Sequence, residues 1–230
     1  MSASAVTSPT TTATRRAAAG SRGWAAAGVV AGLAGVASIY LSLSLSPAYD
    51  RDNPPTPELI TEHLGGVIPQ LIGFHVATVV AALLLIPFAA GLYRRLAGQS
   101  PARSVLPAVA ATGLGVLSAV LVLGSGLDTE FVFGLSDPAL MTATDVSIYS
   151  HWVATIAWLW VTAGVSALAL GIAALRHGAA GKALGVTSVV LGSLMVLFGV
   201  SPLQYMAGFI GPVWLLVSAL ALLRGERAAR

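Results

Sequence analysis

Trp24-Ala-Ala-Ala-Gly-Val-Val-Ala-Gly-Leu-Ala-Gly-Val-Ala-Ser-Ile-Tyr-Leu-Ser-Leu-Ser-Leu45 decides how the rest of the chain is read. Apart from a few serines it is apolar over about 20 residues, enough for an α-helix to cross the hydrocarbon core of a bilayer. A secretory signal peptide is the rival reading, because Ser46-Pro47-Ala48 loosely resembles a cleavage site. Signal h-regions run to only about 7–15 residues, so the stretch reads instead as an uncleaved first span.

Composition points the same way. Of the residues, 56% are apolar and 9% charged, and the mean hydropathy is +0.85. A soluble domain carries about 25% charged residues because its surface meets water. A chain this poor in charge exposes its apolar surface to lipid. The absence of cysteine excludes disulfides, iron–sulfur clusters, thiolate metal sites and cysteine nucleophiles together.

Working outward, residues 1–23 are rich in Ser, Thr and Ala, contain Arg15, Arg16 and Arg22, and lack apolar periodicity. Disorder is the expectation for this tail. After the first span, residues 47–66 form a polar loop with a short helix signal. Thr56 suits the N-cap, Pro57 the first helical position, and Gly65-Gly66 the stop. Leu59, Ile60, His63 and Leu64 share one face, which predicts a helix lying on the membrane surface. Further spans are predicted over residues 67–93, 105–127, 152–175, 183–200 and 205–223, giving one transmembrane domain over 24–223. Residues 128–150 read as the longest outer loop, and 224–230 as a tail. The fold class is therefore all-α: a polytopic membrane bundle of six transmembrane helices.

Charge sets the expected orientation. Arg15, Arg16, Arg22, Arg94, Arg95, Arg103, Arg176, Lys182, Arg224, Arg227 and Arg230 all fall on one side, leaving only Arg51 opposite. The acids segregate inversely, with Glu226 alone on the basic side. Basic flanks mark the cytoplasmic side, so both termini are predicted inside and the outer face is acidic. Six spans, an even number, agree with termini on one side. The same pattern removes nucleic acid as a partner, since these arginines are short flanks without interleaved aromatic stacking residues. The partner they imply is the lipid bilayer, with anionic headgroups at the inner face. In a bacterial cell this places the protein in the plasma membrane.

Packing in lipid depends on close backbone approach, because lipid tails supply no hydrophobic drive between helices. Gly28, Gly32 and Gly35 fall on one face of the first span, and Gly185, Ser188 and Gly192 repeat the device in the fifth. Pro87 and Gly211-Pro212 predict kinks. Gly66-Val67-Ile68-Pro69-Gln70 has a short echo in Gly199-Val200-Ser201-Pro202-Leu203-Gln204, which fits a three-plus-three inverted repeat.

Chemistry-bearing residues are few. His75, counted from residue 67, lies ~12 Å into the second span, where an ionisable group faces the bundle interior. Gln70 and Thr78 are its neighbours along the helix. Around it the acidic rim offers Asp128, Glu130, Asp137 and Asp145, with His63 and His151. The candidate polar site comprises His75, Gln70, His151, Asp128, Glu130 and Asp145. A bis-histidine haem between His75 and His151 fails on depth, because His151 is placed at the boundary. No metal-ligand spacing and no catalytic motif is present, so neither cofactor nor enzymatic activity is expected. Tyr149, Trp152 and Tyr205 suit an interfacial aromatic belt. Trp158 and Trp160, two residues apart on a predicted helix, are expected to point one toward lipid and one inward.

Leu127-Asp128-Thr129-Glu130-Phe131, Ser150-His151-Trp152 with Trp158-Leu159-Trp160, and Ser201-Pro202-Leu203-Gln204-Tyr205-Met206 give the chain a wider likeness. It resembles uncharacterised six-helix integral membrane proteins of high-GC bacteria, grouped as domains of unknown function. The resemblance covers most of the chain after about residue 24. It implies the six-helix fold and brings no activity or site residue. The sequence thus leads to two expectations. One is a membrane protein that binds or moves a small molecule or ion in the outer half of the bundle. The other is a structural or regulatory subunit that associates with another membrane protein through its glycine seams.

Overall fold

The computed structural model describes residues 23–46, 52, 54–137 and 139–228, without the side chains of 226–228. The N-terminal tail expected to be disordered lies outside the described residues except for Gly23. Among the described residues there are nine helices and no strand. They are α1 (Gly23–Leu45), α2 (Pro57–Gly66), α3 (Ile68–Ala97), α4 (Leu106–Ser125), α5 (Asp128–Ser136), α6 (Ala143–Ile156), α7 (Val161–His177), α8 (Lys182–Val200) and α9 (Met206–Ala228). They build six segments long and apolar enough to cross a membrane, with α4–α5 and α6–α7 each forming one segment. The protein is an all-α multi-pass bundle.

The spans close into a ring in chain order. α1 packs on α3, α3 on α4, α4 on α7, α7 on α8, α8 on α9, and α9 returns to α1. Small residues make the close approaches. A Cβ on Gly32 would lie 2.8 Å from the Leu216 backbone of α9. One on Gly192 of α8 would meet the Gly164 carbonyl of α7 at 2.9 Å. Both glycine seams read from the sequence are therefore occupied within the chain. Side-chain hydrogen bonds add to these contacts. Ser118 donates to the Ala82 carbonyl at 2.7 Å, and Trp214 Nε1 to Ser188 Oγ at 3.1 Å. Thr78 gives its proton to the Phe74 carbonyl, so Ser38 donates to Thr78 Oγ1 at 2.7 Å, joining α1 to α3. At the basic end Arg95 Nε donates to the Ala179 carbonyl at 3.1 Å, tying α3 to the α7–α8 turn. That turn follows Gly178, whose φ of 67° is the left-handed conformation that ends α7.

The end expected to face outward departs from its predicted form. The predicted outer loop over 128–150 is largely helical, because α5 continues the third span past Gly126 and α6 begins at Ala143. Thr142 and Asp145 form a capping box: the Thr142 hydroxyl accepts from Asp145 N, and the Asp145 carboxylate accepts from Thr142 N. Asp137, named above as an acid of the rim, ends α5 and accepts from Ala139 N at 3.1 Å. Pro138 lies outside the described residues. α2 keeps its predicted cap, with Thr56 Oγ1 accepting from Leu59 N at 3.3 Å. Its apolar face packs on protein instead of lying on lipid. Ile60 and Leu64 join Leu71, Phe74, Phe131, Val146 and Val153 in a second apolar core above the bundle. The end of the bundle opposite the basic flanks is thus a folded cap of α2, α5 and the start of α6.

The fourth span is also broken. Residues 152–175 were expected as one helix, yet α6 stops at Ile156 and α7 starts at Val161. No proline or glycine lies in the break. Two residues apart on a continuous helix, Trp158 and Trp160 would point to nearly opposite faces. The interruption turns both inward, leaving them 7% and 1% exposed, so neither meets lipid as expected. Trp160 fills the ring interior against Gly35 and Gly211, where a Cβ would lie 2.8 Å and 2.6 Å from its indole ring. Trp158 Nε1 donates to Ser42 Oγ of α1 at 3.1 Å.

Candidate functional site

The cap brings together three residues from three helices. His75 Nδ1 and Asp128 Oδ2 are 3.0 Å apart, and Tyr149 OH donates to Asp128 Oδ1 at 2.8 Å. Asp128 is 1% exposed although it is a carboxylate, and the His75 side chain is 33% exposed. Burying a charge is costly unless it is paired and hydrogen-bonded. Here each carboxylate oxygen has its own donor. The Phe131 ring stacks on Tyr149 with centroids 3.9 Å apart and planes 6° off parallel. That stack and the surrounding apolar core exclude water from the Asp128 side of the pair.

Element geometry explains the meeting. α3 has 30 residues, so it is ~45 Å long and exceeds the ~30 Å hydrocarbon core. Measured back from Arg94 and Arg95 at its basic end, about 20 residues of core reach Phe74 and His75. Counted from that end, His75 falls at the far limit of a ~20-residue span, whereas counting from residue 67 gives ~12 Å. Asp128 opens α5, just past the end of α4 within the third span, and there meets His75. Trp152 locks this corner by donating to the Gly124 carbonyl at 2.7 Å, in the last turn of α4.

The other candidates are not part of the cluster. Gln70, Glu130, Asp145 and His151 are exposed. Asp145 is engaged in the α6 cap. The backbone carbonyl of His151 accepts from Thr155 Oγ1 at 2.7 Å, while its side chain has no hydrogen bond to a described residue. His63, half-buried, bonds the Ser44 carbonyl at 3.0 Å and fastens α2 to the end of α1. Tyr149, placed in the interfacial belt from the sequence, is 1% exposed and belongs to the site instead. Its hydroxyl was legible only as a boundary tyrosine, because nothing in its spacing points to Asp128, 21 residues earlier. Tyr205 is exposed.

Chemically the cluster is a histidine–carboxylate pair with one outward valence. Nε2 makes no hydrogen bond to a described residue and is not enclosed. With Nδ1–H donated to Asp128, Nε2 presents its lone pair outward. No group of three metal-ligating side chains occurs among the described residues. Comparison with family models, curated proteins and solved structures yields no match for this chain.

Proposed function

We propose that this multi-pass membrane protein binds or moves a small cation, the proton in the simplest case, in the outer half of its bundle. The observation that carries the reading is Asp128: a carboxylate 1% exposed, held by His75 and Tyr149 where the cap meets the bundle. A carboxylate buried at the edge of a membrane bundle is costly to keep, and ionisable groups lining such bundles mark ion or substrate paths. Nε2 of His75 is the acceptor a cationic species or a proton would meet first. The acidic outer face read from the sequence raises the local concentration of cations there. The reading places both termini in the cytoplasm, the protein in a bacterial plasma membrane, and its role outside catalysis. The likeness to six-helix proteins of high-GC bacteria stays part of this proposal.

The test is reconstitution into liposomes with an internal pH dye and an imposed potassium diffusion potential. Wild type is expected to admit protons faster than empty liposomes. His75→Gln and Asp128→Asn are expected to lose that flux, and Gln70→Ala to keep it. Thermal shifts with sodium, potassium and magnesium test static binding in parallel. Flux equal to empty liposomes together with no His75-dependent shift would sink the reading. Association with another membrane protein would need surfaces other than the two glycine seams, which the chain's own helices fill.

A further inference from the structure

A groove of about 310 Å³ opens between the outer ends of α1, α6 and α9, away from His75. Its lining includes Ser42, Ser46, Ala154, Trp158, Tyr205 and Phe209. A second cleft of about 200 Å³ continues inward along α1 and α9 past Ile39, Gly208 and Pro212, and Phe209 borders both. Trp158 meets Phe209 edge-on, with centroids 4.6 Å apart. The outer part is polar at one end, and the inner part is apolar. That grading matches an amphiphile rather than a bare hydrocarbon chain.

The backbone supplies the second observation. At the break, Trp158 N donates to the Thr155 carbonyl at 3.0 Å, a three-residue bond. The Ala154 carbonyl thereby loses the donor that a continuing α-helix would provide. Ser46 Oγ makes no hydrogen bond to a described residue. Non-helical backbone at membrane depth is tolerated where it is buried or lines a cavity, because an unsatisfied carbonyl in hydrocarbon is costly. Tyr205 OH donates to Thr155 Oγ1 at 3.2 Å, since Thr155 gives its own proton to the His151 carbonyl, and so closes the α6–α9 side.

We propose that this groove binds a single-chain amphiphile whose head donates hydrogen bonds and carries no negative charge. The head sits at the Ala154 carbonyl and Ser46, and the chain follows the α1–α9 cleft past Phe209. An anionic head is disfavoured because exposed carboxylates, among them Glu58, Glu62, Glu130 and Asp145, populate this end of the molecule. The site is independent of the His75 pair.

The test is photolabelling of the full chain in phosphatidylcholine nanodiscs. One probe is a monoacylglycerol with a diazirine in its tail; the other is the fatty acid with the same tail. The monoacylglycerol is expected to label saturably, at the outer end of α1 and the start of α9, and to be displaced by unlabelled monoacylglycerol. Its labelling should exceed that of the fatty acid roughly three- to tenfold, the range one or two hydrogen bonds supply. Ala154→Leu, which fills the groove, should remove the saturable component. Ser46→Val, a surface change that spares the break, should reduce the preference between heads while leaving tail labelling in place. Equal labelling by both probes, unsaturable labelling along the exposed α8 face at Val186 and Val190, or Ala154→Leu and Ser46→Val both labelling as wild type would overturn the proposal.

Discussion

Asp128 concentrates the energetics of the capped end of the bundle. Its carboxylate is removed from water, and Tyr149 and His75 are its two donors. Removing one donor from a buried acceptor costs about 1–3 kcal/mol, because the group left behind keeps its desolvation penalty. Tyr149→Phe should lower unfolding free energy by about that amount, measured by steric trapping or reversible unfolding in bicelles. A loss below ~0.5 kcal/mol would mean that water replaces the hydroxyl at no cost. Gln70→Ala, at an exposed position, should leave stability within about 0.5 kcal/mol of wild type. His75 and Asp128 were visible in the sequence as rare ionisable groups beside apolar runs. Their pairing was not, since 53 residues and two span boundaries separate them.

The broken fourth span is the element with the largest consequence. A straight helix would satisfy its own backbone, so the break persists only because the inserted tryptophans repay it. Trp160 occupies the ring interior against α1 and α9, and its Nε1 reaches the Ala157 carbonyl at 3.0 Å, which the break leaves accessible. Trp160→Ala should cost about 3–5 kcal/mol, the range for emptying a large buried aromatic site. The same unfolding assay reads it, and a change below ~1 kcal/mol would show that the ring collapses to fill the space. In the cap, Thr142→Ala removes the α6 capping box and should cost ~1 kcal/mol. Hydrogen exchange should localise that loss to the first turns of α6, because the bundle below has its own core. Uniform loss of protection in α8 would contradict this separation.

For the molecule as a whole, membrane orientation is the property carried most directly by charge. The chain has no cysteine, so single cysteines can be added without a background. Glu130→Cys in the outer cap should react with a membrane-impermeant maleimide in intact cells. Gln99→Cys, in the exposed turn after α3, should react only after the membrane is opened. The reverse pattern would invert the assignment. The ring order follows from short connections: neighbours in sequence pack as neighbours in space, and α9 closes on α1.

Hydrophobic length, a local property of the chain, was enough to read six spans, and charge order set an expected sidedness. Bilayer thickness and the cost of moving arginine through it act on each segment separately, so no tertiary contact is needed to see them. Three things depended on packing: the fold of 128–150 into a cap, the break at 157–160, and the selection of Asp128 and Tyr149 as partners of His75. Each balances one local preference against contacts with distant segments. Trp158 and Trp160 illustrate why. Their spacing favours opposite faces of a helix, and only the Ser42 hydroxyl of α1 and the gaps beside Gly35 and Gly211 make it favourable to abandon that helix and turn both inward.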